Sequence, residues 1–304
     1  MRARAVAWLA VVVLAGCFTQ PPDDPTKDYV PLLAASIDAL ATQRDAQGLW
    51  PAGQVPYVVE AASAAGLDLD GWLQPVPVAQ QVAWPAENAS FLASLRPLYA
   101  VALVAAGVGD EARLAQVRDR VMAGFDGQQF GDPQLLNDDA FALIVLGAAQ
   151  VAWSSELEPA IAHLLENQTS EGGWSWAVGG RAETDMTGIV LRGLVEAGAI
   201  HRVEAGPVLA FLETTRGTEG GYALSPGGQS NCDSTVWGIR TKEALGLADD
   251  DAPWRFLFGL QVAGGYAYIP GGPPNALCTA EAATLLGLVV DHQVQMPAGL
   301  DHAD

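Results

Sequence analysis

Three Gly-Gly-aromatic steps recur along the second half of the chain: Gly172, Gly173 and Trp174; Gly220, Gly221 and Tyr222; Gly264, Gly265 and Tyr266. The glycine pairs are spaced by 48 and then 44 residues. A period in this range marks stacked supersecondary units, none of which can bury its apolar face alone. A stretch with apolar residues at helical spacing precedes each pair: Leu157 to Asn167, Val208 to Thr214 and Trp254 to Gln261. A small-residue loop and a second helical stretch follow: Asp185 to Gly198, Asp233 to Gly246 and Thr279 to His292. These second stretches are apolar nearly all round, which places them inside. Asp185, Asp233 and Thr279 suit helix N-caps, and Gly198 and Gly246 suit helix ends.

The first half carries weaker copies. Val30 to Gln43 leads through Asp45 and Trp50 to Pro56–Gly66; Trp72 to Val82 leads to Phe91–Gly107; Asp110 to Phe125 leads through Gly127 and Phe130 to Asp138–Gln150. The count is six helical hairpins. Six hairpins with buried second helices close as a double ring, an all-α (α/α)6 toroid over residues 30–294, with 295–304 as a tail. The 304 residues are half hydrophobic, enough for a large core, so global disorder is excluded.

The N-terminus reads as an address. A basic start (Arg2, Arg4) and an apolar run from Ala5 to Leu14 form a signal-peptide pattern over residues 1–16, too short to span a bilayer permanently. Leu14, Ala15, Gly16 and Cys17 are similar to the lipobox of bacterial lipoproteins, which implies cleavage before Cys17 and lipidation of its thiol. Residues 17–29, with Pro21, Pro22 and Pro25, then read as a tether. The expected location is extracytoplasmic: anchored on a membrane, at its periplasmic face, or on the outer membrane or cell surface, which Phe18 after the cysteine favours. The net charge is −20, and −22 once the two leader arginines are gone. Such a surface repels phosphate backbones, which excludes nucleic acid as a partner.

The repeats carry a family resemblance. Gln168, Gly172 and Trp174 match the Gln-x3-Gly-x-Trp repeat of squalene cyclases; Gly220 to Tyr222, followed by Asp233 to Trp237, resembles the repeat shared by squalene cyclases and protein prenyltransferases. The likeness is strong over 155–292 and weak over 30–150. It implies an α/α toroid with a central cavity, a fold that also occurs in cobalamin carriers and complement thioester domains, so it fixes no function. For the repeat residues themselves the expected role is structural. The glycines allow tight turns, the aromatics fill the space between hairpins, and Gln168 bonds loop backbone.

The chemistry the superfamily could bring was sought residue by residue. Class II cyclases use Asp-x-Asp-Asp; Asp68 with Asp70, and Asn137 with Asp138 and Asp139, do not complete it. Prenyltransferases hold zinc through Asp-x-Cys and a His; the matching places here read Asn231, Asp233 and Cys278, with Cys232 alongside. No cofactor is expected, and a zinc ion, if bound, would use Asp233, Cys232 and Cys278. In an oxidising compartment Cys232 and Cys278 could equally pair as a disulfide or stay as buried thiols. Glu183, Asp185, Asp233 and Glu281 could supply opposed carboxyls in a carbohydrate-active (α/α)6 barrel.

The favoured expectation is a membrane-anchored toroid without catalysis. It would bind a lipid, an isoprenoid, a cobalamin-like molecule or a glycan, or else a protein partner. One alternative is a divergent terpenoid-cyclase-like or prenyltransferase-like enzyme acting through Asp138, Asp139, Asp185 and Asp233. The other is carbohydrate processing.

Overall fold

A computed structural model describes residues 29–72, 76–151, 154–247 and 251–295, with side chains described up to 290. The signal peptide, Cys17, the tether to residue 28 and the C-terminal tail from 296 lie outside the described residues.

Among the described residues, twelve α-helices alternate between two rings. The inner set is α2 (Val55–Ala64), α4 (Phe91–Val108), α6 (Leu136–Ala148), α8 (Thr184–Glu196), α10 (Cys232–Ala244) and α12 (Ala276–Gln295). The outer set is α1 (Val30–Thr42), α3 (Val78–Gln81), α5 (Glu111–Met122), α7 (Glu158–Glu166), α9 (Ala205–Thr215) and α11 (Asp251–Gly259). Each inner helix packs on the next in order, and α12 packs on α2, so the inner ring is closed. Outer helices α7, α9, α11 and α1 lean on the inner helix of the preceding hairpin: α6, α8, α10 and α12. One small antiparallel sheet, β1 (Gln261–Val262), β2 (Gly265–Ala267) and β3 (Pro274–Asn275), forms the last glycine loop.

The repeat is a hydrogen-bonding unit. In the three clear copies the N–H of Trp174, Tyr222 and Tyr266 donates to Thr187, Thr235 and Thr279, each the fourth residue of its inner helix. Two residues after each aromatic, the carbonyl of Trp176, Leu224 or Tyr268 accepts from the first N–H of the preceding inner helix: Leu136, Thr184 or Cys232. Helix starts leave N–H groups without intrahelical partners, and here the neighbouring loop supplies the acceptor. Gln168 donates to the carbonyl of Gly172 at 2.7 Å. Trp174 Nε1 donates to Leu164, ten residues earlier, and Trp50 Nε1 donates to Leu40 in the same way, so the Asp45–Trp50 loop is a true copy. Gly172 sits at φ +98, and a Cβ there would lie 2.2 Å from the Pro207 carbonyl oxygen.

Several expectations need correcting. Among the described residues of the apolar stretch Trp72 to Val82, only the four-residue α3 is helical, and Pro77 holds the position before it. Asp185 and Asp233 are the second residues of α8 and α10, not their caps. Glu183 and Asn231 hold the cap positions, and Asn231 accepts from the Ser234 N–H. Thr279 lies one turn inside α12. Helix α4 is long and apolar enough to cross a membrane by length and composition. In the fold it is an inner helix with Leu95, Leu98 and Ala102 buried against its neighbours.

Candidate functional site

The inner helices enclose a cavity of about 270 Å³ at the toroid's centre. Its lining follows the helix period. An inner helix presents its second, sixth and ninth residues to the axis, spacings of four and seven that keep one face. The second position supplies Pro56, Asp185, Asp233 and Leu277. The sixth supplies a residue from all six helices: Glu60, Arg96, Phe141, Ile189, Trp237 and Glu281. The ninth supplies Tyr99, Ile144, Arg192 and Arg240. Glu183 and Trp176 close the rim on the side of the glycine loops. Trp176, Leu224 and Tyr268, equivalent in their repeats, are 43%, 42% and 42% exposed and place apolar surface on those loops.

The deep end is organised around one carboxylate, with only Arg240 Nε, among the described residues there, left without a partner. Glu60 accepts from Arg192 at 2.7 Å and from Arg240 at 3.3 Å, and Arg192 also donates to the Tyr99 hydroxyl. Burial pushes the Glu60 carboxyl up, but the two guanidiniums pull it below its ordinary range. Burial also raises the Tyr99 phenol, which stays neutral.

The mouth is rich in carboxyls. Burial and the Asp233 carboxylate push Asp185 up to about 7. Burial raises Asp233 too, against the opposing effect of its hydrogen bond from Glu281 and of Arg96. Glu281, 7% exposed, is held protonated well above the ordinary carboxylate range by burial and by Asp233. Glu183 is raised by burial. A carboxyl near 7 can give or take a proton at neutral pH.

The four acids named together from the sequence, Glu183, Asp185, Asp233 and Glu281, thus do line one lumen. Asp138 and Asp139, the third and fourth residues of α6, do not, because both are spent on the loop before their helix. Asp138 accepts from the Asp132 N–H at 2.9 Å and Asp139 from the Phe130 N–H at 2.7 Å. Asp139 takes the helix position that threonine holds in the clear repeats, 3.8 Å from His163, and burial pushes it up to about 7. The zinc set is dispersed. Asn231 caps α10, Asp233 faces the lumen, and Cys232 and Cys278 meet as free buried thiols. Among the described residues no three such side chains group to hold a metal. Sequence reasoning missed Arg96, Glu60, Tyr99 and Arg192, and aligning the six inner helices at their first residues would have found them.

No family model and no curated protein matches the sequence. Solved structures do match the fold. A polysaccharide lyase superposes with TM-score 0.57 at 13% identity, over 89% of this chain and all of that one. The type II terpene cyclase MstE from Scytonema, in complex with geranylgeranyl dihydroxybenzoate, gives 0.54 at 16%, over 86% and 99%. Candida albicans protein geranylgeranyltransferase-I, complexed with GGPP, gives 0.52 at 12%, over 84% of each chain. The chain has the α/α-toroid fold that the lyase, the cyclase and the transferase share. At these identities the likeness is one of fold, and the toroid's function has to be argued from its own lumen.

Proposed function

We propose that this toroid is an exported lipoprotein that holds a small ligand in its lumen without transforming it. One observation carries the reading. The lumen is a cavity walled by Leu95, Phe141, Ile144, Val145, Met186 and Ile189, while residues that would supply the superfamily's chemistry serve the fold. Asn231 is spent on a helix cap, Asp138 and Asp139 anchor a loop, and Cys278 faces Cys232. Apolar walls with a few convergent polar groups are the usual make-up of a ligand pocket. The transferase and the cyclase were solved in complex with isoprenoid compounds, which supports a ligand with an apolar body.

Anchoring rests on the Leu14 to Cys17 motif and on where the ring begins. Tyr29 is buried against Trp254 and Phe258, which fixes the start of the ring twelve residues after Cys17. Labelled palmitate should enter the wild-type chain and not Cys17→Ala, which should leave the membrane fraction. A Cys17→Ala chain that stays membrane-bound overturns the anchor. Every lumen residue lies between 56 and 281, so the chain secreted without its lipid keeps the whole cavity. Native mass spectrometry of that chain, with metal analysis, should find a stoichiometric organic mass.

One observation favours a second reading. Asp185, near 7 and beside Asp233, is suited to acid–base chemistry in the lumen. Turnover of an isoprenoid or an acidic glycan that disappears in both Asp185→Asn and Asp233→Asn would replace the binding reading with this one.

A further inference from the structure

Arg96 is the one lumen guanidinium, among the described residues, that makes neither a hydrogen bond nor an ion pair. Arg192 and Arg240 share Glu60. Arg96 instead lies between two rings, 4.5 Å from the centroid of Tyr57 and 5.2 Å from that of Phe141. Stacking occupies the faces of a guanidinium and leaves its edge donors unspent. The residue is solvent-accessible through the lumen, yet enclosed by the inner ring. Two more unspent polar atoms share the cavity: Glu281 Oε2, in a side chain more than nine-tenths buried, and Asp185 Oδ1. A buried polar atom without a partner costs free energy unless something supplies one.

We propose that the lumen recognises a small organic monocarboxylate, its head held by the edge of Arg96 and completed by Glu281 and Asp185, its body against the apolar wall. The assignment rests on the lumen-binding reading and gives it a ligand class. A guanidinium edge matches a carboxylate with two parallel bonds. Phosphate is a poorer fit, since its second charge would meet one unpaired cation beside Asp233. An ammonium head is disfavoured because Arg96 and Glu281 stand in the same layer, and the cation there is already in place. The proton that Glu281 shares with Asp233 holds that pair at one negative charge instead of two, which limits its repulsion of an incoming anion. The cavity, about 270 Å³, falls just below the usual range of pockets for drug-sized molecules. It suits a short body rather than a polymer or a long isoprenoid chain.

The test is a tryptophan-fluorescence titration of the chain secreted without its lipid, since Trp176 and Trp237 line the cavity. The probes are octanoate and 3-phenylpropionate, with 1-octanol as neutral match and octylamine as cationic match. Wild type should prefer the carboxylates to the alcohol by about tenfold or more, the worth of one charged hydrogen-bond pair. Arg96→Gln should abolish that preference and leave the octanol affinity within about twofold, which also reports an intact fold. Arg96→Lys, which keeps the charge and loses the paired edge, should fall between. Undiminished carboxylate preference in Arg96→Gln, or a wild type that prefers octylamine, overturns the assignment. Octanol binding with no carboxylate preference overturns the assignment alone. A wild type that answers no probe overturns the lumen-binding reading with it.

Discussion

Two carboxyls at the same helix position, one turned to the deep cluster and one to the mouth, behave differently. Glu60 and Glu281 are both sixth residues, on the adjacent helices α2 and α12. Glu60 meets two guanidiniums and is ionised; Glu281 meets Asp233 and keeps its proton. At the deep end two guanidiniums share one carboxylate inside the ring, so the groups hold three helices together. At the mouth carboxyls outnumber cations, and atoms of Glu281 and Asp185 have no partner. The contrast separates buried charge that belongs to the fold from buried charge held ready for something else.

The sharpest way to break the comparison is to remove Glu60. Glu60→Ala leaves Arg192 and Arg240 buried beside each other without their shared carboxylate, and removing one partner of a buried pair costs about 3–5 kcal/mol. The loss should appear in urea unfolding at pH 7, with Glu60→Gln less severe because its amide oxygen still accepts. A loss below about 1 kcal/mol would mean that the deep end is not a structural clamp.

The mouth should respond to pH instead. Asp185 sits near 7 in the fold, against about 4 unfolded. Between those values the folded chain holds a proton that the unfolded chain has released, so stability falls as pH rises from about 4 to about 7. The span corresponds to at most about 4 kcal/mol, less because Asp185 is partly exposed. Asp185→Asn should flatten the profile and be more stable than wild type at pH 8. Urea midpoints at pH 4.5, 6 and 8 decide it, and parallel curves for the two chains would show that Asp185 is not the titrating group.

A smaller change returns to the deep end. Tyr99→Phe removes the acceptor of one Arg192 hydrogen bond and leaves the Glu60 pair, so about 1–2 kcal/mol should be lost at every pH between 5 and 8. A pH-dependent loss would mean that the two ends are coupled.

Much of this was legible in the sequence because repetition makes a helix start, a glycine turn and a buried aromatic recur together. The hairpin count, the role of Gln168 and the grouping of Glu183 with Asp185, Asp233 and Glu281 all came from such marks. Arg96 escaped notice because it is the single charged residue in a long apolar helix, and only the closed ring brings Tyr57 and Phe141 to its two faces. Glu60 pairs with residues 132 and 180 positions away, which no local pattern records. Asp138 and Asp139 misled because an acidic pair opening a helix looks alike whichever way the helix is turned.

That last ambiguity can be tested with one chemical change made twice. Asp185 is the second residue of α8, and Asp138 is the third of α6. One position is about 100° of rotation at 3.6 residues per turn. Third residues such as Met186 still reach the lumen edge, but Asp138 is held on the loop, where it accepts the Asp132 N–H. Asp138→Asn keeps an acceptor oxygen in place, so it should cost less than about 1 kcal/mol. It should also leave octanoate and octanol affinities unchanged. Asp185→Asn should weaken octanoate relative to octanol, since it alters a group on the carboxylate's side of the cavity. Equal effects of the two substitutions on octanoate would show that position along the helix, rather than the face presented to the axis, decides which acids belong to the site.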